Sequence, residues 1–159
     1  MDSLKSYIRD SVEEDIKWVA KDMRDIDKYE CWVVSHCTGD QALENGFKNS
    51  LVCKTGVINN EPVAMFGITD MLQKDVGLVW LLGTNRVPQA KELFITTAKD
   101  TVNGLLEYRP VLFNYVYARN WVAIKWLKFL GFTMKSPSPY GLDKKPFRMF
   151  HKVKENNHV

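Results

Sequence analysis

The chain has 159 residues, 45% of them hydrophobic and 26% charged, and carries a net charge of +3. Those values describe an ordinary globular chain, long enough to bury a core without metals or disulfides. They exclude a strong electrostatic footprint for nucleic acid or an anionic membrane. Cys31, Cys37 and Cys53 are odd in number and irregularly spaced, which reads as idle thiols in a reducing compartment rather than a disulfide framework. One domain is expected, with no secretory leader and no run of about 18 apolar residues that would span a membrane.

The first expected element is a short strand over Tyr7 to Arg9. Ser11-Val12-Glu13-Glu14 then reads as a capping box, the hydroxyl covering a free helical amide and Glu14 reaching back to the Ser11 amide. Behind it Val12, Ile16, Val19 and Met23 recur at helical spacing and predict one apolar face. A second box, Thr38-Gly39-Asp40-Gln41, opens a shorter helix carrying Leu43 and Phe47.

The character changes at Leu51. Leu51 to Ile58 and Pro62 to Thr69 are β-rich runs joined at Asn59-Asn60, residues that tolerate the left-handed conformations of a tight hairpin. Val76 to Leu82 is almost wholly apolar, as expected of a strand covered on both faces. The loop from Gly83 to Val87 leads to Pro88, which suits the first turn of a helix bearing Ala90, Leu93, Phe94, Thr97, Val102, Leu105 and Leu106. Val111 to Ala118 is again a strand, Trp121 to Leu130 a helix, Ser136 to Pro146 a loop, and Phe147 to Val153 a last strand. A three-strand meander followed by a β-α-β-α unit implies an α/β fold, a mixed sheet with helices on both faces.

Two segments carry candidate chemistry. Where the strand ending at Leu82 meets Gly83, Thr84 and the next helix, free amides and a helix start converge on one spot, with Arg86 nearby. Such a place suits a phosphate, although Gly83 and Asn85 are also common turn residues and Pro88 removes a donor. In the second, Asn120 reads as an N-cap, Gly131 as a left-handed residue past the helix end, and Phe132 as its packing partner.

The order Asn120, Ala123, then Leu130-Gly131-Phe132 resembles the second half of the acetyl-coenzyme-A site of the GNAT acetyltransferases, and the element order resembles theirs too. The resemblance implies a mixed, mostly antiparallel sheet flanked by helices. It implies acetyl-CoA as cofactor, held by the backbone of Leu82, Gly83 and Thr84 and by Asn120, and an amine-bearing small molecule or protein as acceptor. Trp80 to Thr84, Asn114 to Asn120, Pro139-Tyr140-Gly141 and Pro146 to Phe150 also look like GNAT-like proteins of short-tailed bacteriophages, some of them internal virion proteins. That narrower resemblance implies a place in the host cytoplasm or the virion, and a phage or host protein as partner.

The chain departs from the enzymes of that family at two points. The loop from Gly83 to Val87 is shorter than their pyrophosphate loop and lacks its second glycine, and Leu127 stands where many of them place a proton-donating Tyr. No Glu lies on the Val76 to Leu82 strand to serve as base. Asp70 and Asp75 read as solvated turn residues; Tyr115, Tyr117, Tyr140 and His151 are the remaining acids or bases, each equally readable as a packed aromatic. Cys31, His36 and Cys37 sit close together, but the spacing and fourth ligand of a zinc site are missing. The reaction expected is direct attack of an amine on the thioester, with no covalent nucleophile; the competing expectation is a binding protein that retains the fold without the reaction.

Overall fold

A computed structural model describes residues 5–155. The elements run β1 (Ser6–Asp10), α1 (Asp15–Lys21), α2 (Asp25–Ser35), α3 (Gly39–Asn49), β2 (Ser50–Ile58), β3 (Glu61–Asp70) and β4 (Val76–Gly83). A 3₁₀ turn (Val87–Ala90) follows, then α4 (Lys91–Tyr108), β5 (Val111–Tyr117), α5 (Trp121–Phe129), β6 (Thr133–Met134), β7 (Ser138–Tyr140) and β8 (Lys145–Val153). The eight strands form one sheet in the order β1-β2-β3-β4-β5-β8-β6, with β7 on the same flank of β8 as β6. Every pairing is antiparallel except β4 with β5.

Strand alternation sorts the side chains between two cores. Met65, Trp80 and Leu82 pack with Ile16, Val19, Met23 and Leu43 under α1 and α3. Ile68, Val79, Leu112, Val116 and Phe150 pack with Val102, Leu105, Leu106 and Ile124 under α4 and α5. The hairpin at Asn59-Asn60 forms as expected, both residues having positive φ (49° and 67°). Asn120 caps α5 by accepting from the Ala123 N–H at 3.3 Å, and Gly131 takes φ 90° past its end.

The first expected capping box is corrected. The Ser11 hydroxyl pairs with Thr55 Oγ1 (2.7 Å), and α1 starts four residues later. The turn is organised instead by Asp15, which is 2% exposed and accepts from Val12 N–H (2.9 Å), Thr55 Oγ1 (2.7 Å) and both Arg9 Nη atoms (2.8 and 2.9 Å). Val12, expected on the buried face, is half exposed as a result. Ser138–Tyr140, within the expected loop, is a short strand, and α2 is a full helix of which apolar spacing gives no sign.

One glycine is held by close approach. A Cβ on Gly46 would stand 2.6 Å from the Trp80 ring, whose Nε1 donates to Ser50 Oγ at 2.8 Å. Gly46→Ala gains up to about 1 kcal/mol of helix propensity, but forcing α3 off the ring costs about 1–3 kcal/mol. The variant is expected to be net destabilised in urea unfolding, and a more stable variant would show that the ring moves aside freely.

Candidate functional site

β4 and β5 run parallel but hydrogen-bond only over Val76 to Leu78 against Val111 to Phe113. At the point of parting, the Asn114 side chain replaces the ladder: its Nδ2 donates to the Val79 carbonyl (2.7 Å) and its Oδ1 accepts from the Tyr115 N–H (2.7 Å). Beyond it the strands diverge into a V whose open end lies between Gly83 and Tyr117. Each arm keeps its other neighbour, since β4 stays paired with β3 through Gly83 and β5 with β8 through Tyr117.

The open end is spanned by α2. Asp27 Oδ2 accepts from the Gly83 N–H (2.8 Å) at the tip of β4, and from Arg24 Nε (2.9 Å). One turn later Glu30 Oε1 accepts from the Tyr117 N–H (3.3 Å) at the tip of β5, and from Asn120 Nδ2 (2.8 Å). The Arg24 N–H donates in turn to the Gly83 carbonyl (3.0 Å). The far end of α2 is fixed by the β7–β8 hairpin, where Leu142 and Asp143 N–H donate to the Val34 and Val33 carbonyls (3.0 Å each). A helix thus holds both arms of the V with two carboxylates.

These carboxylates are unusual acids. Burial pushes the Glu30 carboxyl up to about 7, and the neighbouring Asp27 charge pushes the same way. Asn120, the Tyr117 N–H and Arg24 pull it back only in part. Burial also raises Asp27, against Arg24 and the Gly83 N–H. The Cys31 thiol, pushed up to about 12 by burial and by the charges of Asp27 and Glu30, stays protonated and is no nucleophile at neutral pH.

The residues expected to hold the cofactor all lie at this V, with their donors engaged inside the chain. Leu82 pairs with Met65, and its side chain packs against the α1–α3 core. Gly83 donates to Asp27, and Thr84 N–H and Oγ1 both donate to the Val63 carbonyl (2.8 Å each). Asn120 divides its amide between Ala123 and Glu30. Arg86 is paired with Glu61.

The candidate acids and bases separate by position. Asp70 and Asp75 lie at the closed end of the V, where Asp70 accepts from Arg109 Nε (3.0 Å) and a concavity of about 360 Å³ opens around them. Tyr115 stacks on Tyr140 with centroids 3.8 Å apart, and Tyr117 lies between Tyr29 and Phe147. His151 has a buried Nδ1 with no partner among the described residues. His36 is bonded to Asp143 (2.7 Å) and stacked on Trp32. Leu127 packs against the α4–α5 core.

No protein-family model and no curated protein sequence matches the chain. Solved structures do. The ribosomal-protein-S18-alanine N-acetyltransferase of Escherichia coli superposes with a TM-score of 0.68 at 14% identity, over 98% of this chain and 99% of that one. An acetyltransferase of the GNAT family from Streptococcus pneumoniae gives 0.63 at 14% identity over 95% and 100%. The fold is that of the GNAT acetyltransferases. Spermidine N-acetyltransferase from Vibrio cholerae, solved with CoA and spermine, shares the GNAT fold at a TM-score of 0.62 and 10% identity over 94% and 95% of the chains. No helix of the described residues is long and apolar enough to cross a membrane.

Sequence reasoning missed Asp27 and Glu30. The one available signal was an i, i+3 pair of acids in a segment otherwise compatible with helix, Asp25 to Ser35.

Proposed function

We propose that the protein is an acyl-CoA-dependent N-acyltransferase, with acetyl-CoA as donor and an amine as acceptor. The observation that carries this reading is the V itself: a parallel pair that stops bonding after Leu78 and Phe113 inside a GNAT-fold sheet. A gap between diverging strands leaves main-chain polar groups to be satisfied, which suits an extended, amide-bearing arm such as pantetheine. On the α4–α5 side the rim carries exposed apolar residues, Leu81 on β4 and Trp121 and Val122 on α5, that a bound molecule would cover.

The residues fit the arm better than the phosphates. Leu82, Gly83 and Thr84 stand at the tip of the V, but with their amides engaged and Gly83 and Thr84 buried they form no cradle of donors. Asn120 would reach the arm only by leaving Glu30. The bound thioester supplies an activated acyl carbon; the chain's own residues hold the V open, position the amine and take its proton.

A second reading is favoured by Leu127 and Trp121. Leu127 cannot supply the proton usually given to the departing thiolate, and Trp121, 69% exposed beside Val122 at 79%, has the features of an anchor for another protein. In that reading the fold serves binding alone, and the partner is a virion or host protein, as the phage-like motifs suggest.

Acetyl-CoA titration decides between them. Calorimetry is expected to show micromolar affinity, and ligand at a hundredfold excess over Kd would stabilise the fold by about 2.7 kcal/mol. No heat and no thermal shift at millimolar acetyl-CoA would leave the binding-protein reading. If acetyl-CoA binds, Asn120→Ala is expected to weaken it while costing about 1 kcal/mol of stability through the lost cap; unchanged affinity would restrict Asn120 to capping.

A further inference from the structure

Resting on the acyltransferase reading, the geometry points to Glu30, delivered by α2 rather than by a strand of the V, as the proton acceptor of the incoming primary amine. Four observations converge on it. Oε1 is held by the Tyr117 N–H and, until a bound donor draws it away, by Asn120 Nδ2, so the carboxyl is fixed at the open end of the V. Oε2 accepts no hydrogen bond from any described residue and is not among the sealed, unpartnered atoms. One oxygen is anchored and the other is free to meet a ligand.

The sheet face is also the appropriate one. Register places Phe113, Tyr115 and Tyr117 on the same face as Trp80 and Leu82, the face covered by α1 and α3 and opposite α4 and α5. Phe113, Tyr115 and Tyr117 are half-buried, and Tyr29 of α2 packs on Tyr117 with centroids 5.0 Å apart. Aromatic rings beside a carboxylate attract a primary ammonium group. The acceptor therefore arrives on the α2 side, and the acyl donor occupies the V from the α4–α5 side.

Charge balance supports the assignment. The groups around Glu30 are Asp27, Arg24 and Cys31 from α2 and its approach, with Tyr29 and Tyr117 beside it and the charges of Arg119 and Asp143 acting on Tyr29. Arg24 is already committed to Asp27 at 2.8 Å, so among the described residues Glu30 has no cation of its own. An ammonium ion would supply one. A carboxyl that titrates near neutrality can both accept a proton from that ammonium and return it to solvent.

Glu30 takes one proton from the ammonium group, and the freed nitrogen lone pair forms a bond to the acyl carbon. The bond from that carbon to sulfur breaks, and the thiolate leaves with its electron pair. A second proton from the nitrogen passes to sulfur, directly or through water, because Leu127 offers none. Glu30 then releases its proton to solvent.

The test uses the full chain, acetyl-CoA, and two probe amines, spermidine and an alanyl tripeptide. Thiol release is followed against pH, and the Glu30 carboxyl carbon is followed by ¹³C NMR in the protein with and without each amine. The expected result is a carboxyl that titrates near 7 and shifts with an amine, and turnover that falls on the acid side of the same midpoint. Glu30→Gln is expected to lower kcat at least a hundredfold and abolish that acid limb while acetyl-CoA still binds. The assignment is overturned by a variant that keeps the limb and the rate, by a carboxyl titrating in the ordinary range, or by the absence of both turnover and carboxyl shift with either amine. If acetyl-CoA binds in calorimetry under any of those outcomes, the acyltransferase reading survives and only the role of Glu30 falls; if it does not bind, both fall.

Discussion

Glu30→Gln is expected to raise thermal stability at pH 8, even though it removes a charge from the candidate site. The folded carboxyl holds its proton up to about 7, whereas the ordinary value is 4.5. Between those values the native chain binds more protons than the unfolded chain, so stability falls as pH rises through that window and the full penalty is present above it. Glutamine keeps an oxygen for the Tyr117 N–H and Asn120 Nδ2 but carries no charge into the partly buried setting. A gain of about 2 kcal/mol corresponds to roughly 4–8 °C in melting temperature for a chain of this size. The gain should shrink toward zero by pH 4. Equal melting temperatures for variant and parent at pH 8 would show that Glu30 is ionised without strain and has an ordinary proton affinity. A site that costs stability as built is the usual mark of a residue retained for function.

The opposite sign is expected at Asp15. Burial alone would push this carboxyl up, but the Arg9 guanidinium, the Val12 amide and the Thr55 hydroxyl together hold it below its usual value. Asp15→Ala leaves Arg9 without its fork, Thr55 (0% exposed) with only the Ser11 hydroxyl as partner, and the entry to α1 without its organising group. The stranded Arg9 side chain is 34% exposed and keeps much of its hydration, so the loss is that of the unsatisfied buried groups, about 2–3 kcal/mol, still a sizeable share of the roughly 5–15 kcal/mol that holds an ordinary domain together. The urea midpoint should fall by about 1 M at an m-value of about 1–3 kcal/mol/M. In the parent this contribution is present above the unfolded carboxylate pKa and is lost as pH falls through the lower folded value. A loss below 1 kcal/mol would mean that water replaces the carboxylate.

The contrast between these two acids shows what could be read in advance. Strands β2 to β5 were legible because β-branched and apolar runs separated by Asn59-Asn60 and Gly83 already match a pleated, covered surface. The α5 cap was legible because capping is local: Asn120, Ala123 and Gly131 need only their own helix. The box at Ser11 misled for the reverse reason, since its hydroxyl is drawn away to Thr55, 44 residues distant in sequence. Helix α2 escaped because its inward positions include Asp27 and Glu30, so no apolar stripe marks it. Nothing within eleven residues of Glu30 announces that its partners are Tyr117 and Asn120, and so the carboxylates of the V could be found only once the fold had brought them there.

Those partners also bear on the order in which the molecule assembles. The contacts from Asp27 to Gly83 and from Glu30 to Tyr117 and Asn120 close loops of 56, 87 and 90 residues. The β2–β3 hairpin, by contrast, turns at Asn59-Asn60. Long closures are entropically costly until flanking structure has shortened the effective loop. The meander of β1 to β4 and the β5–β8 unit can each form from nearer contacts, leaving the grip of α2 on both as a late event. A chain halted just before it would hold its strands yet lack a gap of defined width, so that competence to bind would mature after the bulk of the sheet.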